Sequence, residues 1–334
     1  MNNSRLLRQC IIFFSFLVFP LLHASAGFTG VVYVDLNKNG EKEVNERGVK
    51  GVSVSDGLNV VITDGDGEYL LPGSLKSRFI FITVPSGFRT LRSFYIRTDG
   101  TASDYNFGLT SFQVAKSNRV KFIQLADTEA SDDFGWVGPI RDYSANEGIS
   151  FIVHTGDICY EKGLNFYGRN VTGETMGVPV YYCVGNHDLV KGNYGEELFE
   201  KNFGPVFYSF EAGNTHFIVT PMLTGDYQPS YTKEDVYLWM KNDLQAVAPG
   251  NSLVYTAPYS KPNATVESSP VLAGSMIIFG TSDRFLYAVD RDNGRIITKI
   301  NLGAPVLGRA CLEGNDLFVT DFSGNISCFS VMTY

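Results

Sequence analysis

Histidine is scarce in this chain. There are four in 334 residues, at positions 23, 154, 187 and 216, and none follows His216. A site that needs several imidazoles must therefore find them upstream. Positive charge is also in deficit: 27 Lys and Arg face 35 Asp and Glu, for a net charge of −8. An acidic surface argues against nucleic acid or an anionic membrane as partner. Beyond Leu22 no apolar run approaches the roughly 18 residues that a membrane span needs. Cysteine is sparse as well, with five in the chain. Cys159 and Cys183 could pair in an oxidising compartment, or both stay free and buried.

What is abundant points to strands and turns. Aromatics make up 13% of the chain and glycine contributes 34 residues, a composition of sheets rather than helical bundles. Residues 1–26 read as a signal peptide. Arg5 and Arg8 are its positive end, Cys10 to Leu22 its apolar stretch, and Ala24-Ser25-Ala26 a small-residue cleavage site. We therefore expect an exported protein, periplasmic or extracellular, without a transmembrane segment after cleavage. Loss of Arg5 and Arg8, with no acid, takes the net charge from −8 to −10.

Residues 27–110 read as an all-β domain of short runs (VVYV, VSV, VVIT, YLL, FIFITV, FYIR) separated by Gly, Asp and Pro turns. Within it, DLNKNGEKEVNE at 35–46 matches the calcium-loop pattern D-x-[DN]-x-[DN]-G-x5-E. Asp35, Asn37, Asn39 and Glu46 would offer oxygens to a calcium ion, with Gly40 at the sharp turn. An Asx-rich hairpin turn is the competing reading of the same residues.

Residues 111–256 alternate strands with helical stretches, the α/β signature. The segment 231–247 carries Val236, Trp239, Met240, Leu244 and Val247 at helical spacing, with a capping-box start at Thr232 and Asp235 and a stop at Pro249-Gly250. Three apolar runs here end in polar residues: FIQLADTE at 122–129, FIVHTGD at 151–157 and VYYCVGNHD at 180–188. Open α/β sheets build their sites at the C-terminal ends of such strands. Residues 257–334 return to strand and turn. VLAGSMIIFGTSDRFLYAVD from Val271 aligns with CLEGNDLFVTDFSGNISCFS from Cys311 at an offset of 40, the blade period of β-propellers. Two blades cannot close a ring of four to eight. The predicted fold class is thus α+β and multidomain: an N-terminal β-sandwich, a central α/β sandwich and a partial C-terminal propeller.

Three resemblances follow from these residues. The stretch from GVVYVDLNKNGEKEVNE to TDGDGEYLLPG is similar to calcium-binding B-repeat and carboxypeptidase-regulatory-like β-sandwiches, which implies a structural spacer. LYAVDRDNGRIITKINLGAPV resembles quinoprotein-type (PQQ-like) propeller blades. The series at 127, 156–157 and 185–188 resembles that of calcineurin-like metallophosphoesterases, in particular secreted bacterial members with an N-terminal β-domain. That last resemblance spans roughly 118–256 and implies a two-metal site (Mn, Mg, Fe or Zn) that hydrolyses phosphate esters. Asp157 would bridge the cations, Asp127 would bind one and Asn186 the other. His187 would protonate the leaving oxygen, with Asp188 orienting its ring.

The chain departs from that pattern in three places. Glu129 stands where a metal-binding His is expected, so Glu129 enters the ligand set as a carboxylate. Ala257, Pro258 and Tyr259 occupy the place of another His. The G-H-x-H segment is absent, because the repeat follows directly. His154 and His216 read as packing or hydrogen-bonding residues. The expected function is an exported metal-dependent phosphoesterase of weak or lost activity, acting on a phosphate-ester substrate. The competing one is a non-catalytic or truncated protein that binds a metal or a protein partner through its β-domains.

Overall fold

The computed structural model describes residues 27–73, 76–99, 104–112, 119–129, 135–247, 251–255, 266 and 268–331. The predicted leader at 1–26, the stop at Pro249-Gly250 and Ala257 to Tyr259 lie outside the described residues. The chain is a mixed α+β protein of many small sheets and few helices, and among the described residues no sheet closes into a barrel.

Eight strands come first: β1 (Phe28–Val34), β2 (Ser53–Ser55), β3 (Val60–Ile62), β4 (Glu68–Leu71), β5 (Phe79–Ile82), β6 (Phe88–Thr90), β7 (Tyr95–Arg97) and β8 (Phe107–Ser111). They form two four-stranded sheets, β4-β1-β8-β6 and β3-β2-β5-β7, antiparallel except for the β1–β8 pair. Val32, Leu71 and Leu109 of one sheet share a fully buried core with Val54, Ile80 and Ile82 of the other. The pattern is the period-2 alternation of a half-buried strand, as in β4, where Tyr69 and Leu71 are buried and Glu68 and Leu70 exposed.

The middle of the chain runs β9 (Phe122–Leu125), α1 (Val137–Glu147), β10 (Phe151–His154), α2 (Tyr160–Asn170), α3 (Gly173–Met176), β11 (Val180–Tyr182), α4 (Glu197–Phe203), β12 (Tyr208–Ala212), β13 (Thr215–Val219), α5 (Lys233–Ala246) and β14 (Ser252–Tyr255). Strands β11-β10-β9 form one parallel sheet. Strands β12-β13-β14 form another, antiparallel then parallel. Aromatic rings join the two: Phe151 meets Phe210 and Phe217 at 4.9 and 5.0 Å between centroids. Helix α5 begins as its sequence predicts. Thr232 Oγ1 accepts from the Asp235 N–H, and Asp235 accepts from the Thr232 N–H, so two otherwise unpartnered donors of the first turn are satisfied.

The first two sheets pack directly against the α/β part. One continuous apolar core contains Ile80 and Phe81 together with Phe151, Tyr181, Phe210 and Trp239. Trp239 of α5 is fully buried and its indole N–H donates to Ser55 Oγ of β2 at 3.2 Å. Arg78 reaches the buried carboxylates of Glu196 and Glu200 at 3.0 and 2.6 Å, with its guanidinium over the Tyr194 ring. Charges taken from water in this way need each other.

The last strands are β15 (Val271–Ala273), β16 (Met276–Gly280), β17 (Phe285–Asp290), β18 (Ile296–Asn301), β19 (Cys311–Glu313), β20 (Asp316–Thr320) and β21 (Ile326–Ser330). They form antiparallel sheets of four and three strands, β15-β16-β17-β18 and β19-β20-β21. The repeat is visible in the backbone. The turn glycines Gly274 and Gly314, 40 positions apart, have φ of 60° and 59°. These strands gather a core of their own around Ala273, Leu286, Val306 and Val319.

Candidate functional site

The three parallel strands β9, β10 and β11 deliver their following residues to one edge of the sheet. Asp127 follows β9, Gly156-Asp157 follows β10, and a 3-10 turn at Asn186–Asp188 follows β11. The loops touch through their backbones and the Asp157 carboxylate. The Asp127 N–H donates to the Gly156 carbonyl at 3.1 Å, and the His187 N–H donates to Asp157 Oδ1 at 3.2 Å. Gly185 is required by this approach, because a Cβ there would run into the Asp157 carboxylate and backbone nitrogen. Among the described residues, six non-glycine residues have positive φ, and Asp127, Glu129, Asp157 and Cys159 are four of them. Such conformations cost energy and collect at functional sites.

Asp188 does not orient His187, contrary to the expectation. It is fully buried and turned inward. Its Oδ1 accepts from the N–H groups of Ile158 and Cys159 at 2.8 and 3.0 Å, and its Oδ2 accepts from the Gly185 N–H at 2.9 Å. A carboxylate is acceptor-only, so a run of unmatched N–H donors captures it. Burial pushes its pKa up while those three N–H groups pull it back down. Asp188 thus ties the turn after β11 to the loop after β10.

The residue on the His187 ring is Asp226, from the loop between β13 and α5. Nδ1 of His187 lies 2.9 Å from Asp226 Oδ2, with both side chains about two-fifths exposed. This hydrogen bond raises the His187 pKa against the opposing effect of desolvation. Tyr160 adds its ring edge-on at 5.8 Å between centroids. Asp226 escaped the motif reading because it stands 39 positions from His187. One signal was available. Gly225-Asp226 follows the run FIVTPMLT, just as Gly156-Asp157 follows FIVHT.

His154 is fully buried beneath the site, as a hydrogen-bonding residue should be. Its Nδ1 accepts from the Gly156 N–H at 3.3 Å, which leaves Nε2–H to donate to Thr128 Oγ1 at 2.9 Å. Burial lowers its pKa to about 4, so the ring is neutral at pH 7 and braces the loops of Asp127 and Asp157. His216 lies elsewhere, in β13, against Asp243. Cys159, buried beside the site, has its thiol pushed up to about 12, first by desolvation and then by Asp188, Asp157, Glu129 and Asp127.

Carboxylates therefore surround the edge, yet they do not close on one point. Among the described residues no three His, Cys, Asp or Glu side chains come together in a group fit to hold a metal ion. The chemistry of the donor set agrees, since one imidazole stands where the two-metal pattern needs several. The described residues, as arranged, do not by themselves complete a two-metal centre.

The loop 35–46 is compact. Asp35 accepts from the N–H groups of Lys38 and Gly40 at 2.6 and 2.9 Å, and Glu46 accepts from those of Leu36 and Glu43 at 2.7 and 3.1 Å. Asn37 and Asn39 accept from the N–H two residues ahead and donate to Glu43 Oε1. The loop curls around its own oxygens.

Comparison with known proteins bears on part of the chain. Residues 36–112 match the family model described as the N terminal of calcineurin-like phosphoesterase. Purple acid phosphatase 13 of Arabidopsis thaliana is 25% identical over 116 residues, which span 31% of this chain and 21% of that protein. The chain thus covers about a fifth of that relative. Among solved structures, BamB from Moraxella catarrhalis aligns with 20% of this chain and 22% of its own at 23% identity and a TM-score of 0.19. The computationally designed Ika4 protein aligns with 20% and 41% at 10% identity, also at 0.19. Overlaps so poor assign no fold. Among the described residues, no helix is long and apolar enough to cross a membrane.

Proposed function

We propose that this chain is an exported phosphate-ester hydrolase of the calcineurin-like kind whose two-metal site is impaired. The observation that carries it is that Asp127, Asp157, Asn186 and His187 each follow a strand of one parallel sheet at the same edge, and the family-model match at 36–112 supports the reading. Divalent Mn, Mg, Fe or Zn is the expected cofactor, and Asp127, Glu129, Asp157 and Asn186 are the donors that would be available to it. Bound cations would supply charge neutralisation of the phosphate oxygens. The chain's own contribution is acid catalysis. His187 in its protonated form, with Nδ1–H engaged by Asp226, has the Nε2–H proton to give to a leaving oxygen and returns to the neutral Nδ1–H ring.

Incomplete cation binding removes charge stabilisation of the transition state, which costs on the order of 10³-fold in rate. Hydrolysis of p-nitrophenyl phosphate and its bis ester should therefore be very slow with Mn, Mg or Zn. Fast turnover that vanishes in Asp157→Asn would overturn the impairment.

A second cation is proposed for the loop 35–46, where Asp35 and Glu46 are buried within a few per cent and Glu43 adds a further carboxylate. Calcium should bind with a Kd of about 10⁻⁴ M, as in extracellular modules. Calorimetry on the whole chain should register calcium binding that Glu46→Ala removes, and an unchanged trace in that variant would refute it. The competing reading, a non-catalytic partner-binding protein, draws on Phe322 and Ile326, which are 76% and 74% exposed in and beside the last sheet.

A further inference from the structure

We infer that Asp226 is the positioning residue that fixes the ring of His187, and this rests on the acid role proposed for that histidine. The contact is 2.9 Å between His187 Nδ1 and Asp226 Oδ2. An exposed pair of this kind adds little to stability, too little to explain how firmly its loop is held.

The loop is pinned along its length. Met222 N–H donates to the Val184 carbonyl at 3.0 Å, and Asp226 N–H donates to the Asn186 carbonyl at 3.1 Å. A Cβ at position 225 would strike that same Asn186 carbonyl oxygen, so glycine alone lets the two loops close. Further on, the Gly195 N–H donates to the Gln228 carbonyl at 2.9 Å, and the Ser230 N–H and hydroxyl both donate to Glu196. Arg78, just ahead of β5, holds Glu196 in turn. The first sheets, the last loop and the turn after β11 thus form one frame around the His187 ring.

The chemical consequence is a choice of tautomer. An imidazole has two nitrogens, and the partner of one decides which carries the proton in the neutral ring. Asp226 is acceptor-only, so it selects the Nδ1–H form and leaves Nε2 with its lone pair. It also prevents the ring from flipping. Tyr160 confines the ring further, with its own ring at 5.8 Å. A ring so fixed presents the same nitrogen in every turnover.

The test is a long-range proton–nitrogen correlation spectrum of the ¹⁵N-labelled full chain, at a pH where the His187 ring is neutral. Its signals are assigned by their loss in His187→Asn. The wild type should show Nδ1 protonated and Nε2 bare. Asp226→Ala should revert to the Nε2–H form that an unconstrained imidazole prefers. Asp226→Asn, which keeps an acceptor oxygen, should retain the wild-type form. A wild-type ring in the Nε2–H form, or an unchanged tautomer in Asp226→Ala, would overturn the inference. The readout is independent of hydrolysis. If the tautomer changes while neither protein hydrolyses a phosphate ester at all, the positioning stands and the phosphoesterase reading falls.

Discussion

The carboxylate on the His187 ring is that of Asp226, not that of Asp188 as the resemblance implied. Asp188 stands next to His187 in sequence, yet the 3-10 turn at Asn186–Asp188 aims successive side chains apart, and three backbone N–H groups take the carboxylate. Replacing it with Asn leaves one acceptor oxygen for three donors, two of which are held by a single atom. Unmatched buried donors cost about 1–3 kcal/mol each. Asp188→Asn should therefore lower stability by roughly 2 kcal/mol in chemical denaturation, while the His187 tautomer stays as in the wild type. Loss of that tautomer in a folded Asp188→Asn protein would return the orienting role to Asp188. Adjacency was legible in the sequence. The direction of each side chain was not, because it depends on a turn whose geometry comes from packing.

Individual strands and helices were easier to read than their partners. The runs FIQL, FIVH and VYY each end where an apolar segment meets Asp, Gly or Asn, and helix α5 starts at its capping box. The offset-40 repeat reappears as β15, β16 and β17 followed by β19, β20 and β21, with turn glycines at 274 and 314. Pairing between distant elements was hidden, since nothing local marks Trp239 as a partner of Ser55. The same holds for the buried network in which Ser209 of β12 donates to Asp243 of α5 at 2.8 Å and His216 of β13 binds the other Asp243 oxygen at 2.8 Å. Burial disfavours charge on His216, but Asp243 outweighs it and raises the pKa to about 9; Glu211, 3.7 Å from Nδ1, assists. A histidine whose pKa is raised on folding stabilises most below its unfolded value, about 6.5, and that contribution fades as pH rises towards 9. On the order of 3 kcal/mol should be lost over this interval. His216→Gln should flatten that alkaline limb in urea denaturation followed against pH, and a wild-type limb that is already flat would contradict the assignment.

At the scale of the whole molecule, the first sheets and the α/β part form a single packed body through Trp239, Arg78 and a shared aromatic core. The candidate site sits at one edge of that body, with its geometry fixed from three sides. Among the described residues one imidazole, that of His187, stands at that edge with Asp127 and Asp157, and the impaired two-metal site proposed above rests on that scarcity. Manganese titration of the full chain, followed by electron paramagnetic resonance with calcium in excess to fill loop 35–46, tests this most directly. The account predicts no more than one weakly held manganese ion, absent in Asp157→Asn. Two tightly held ions with the signal of a coupled pair, lost together in Asp157→Asn, would contradict it.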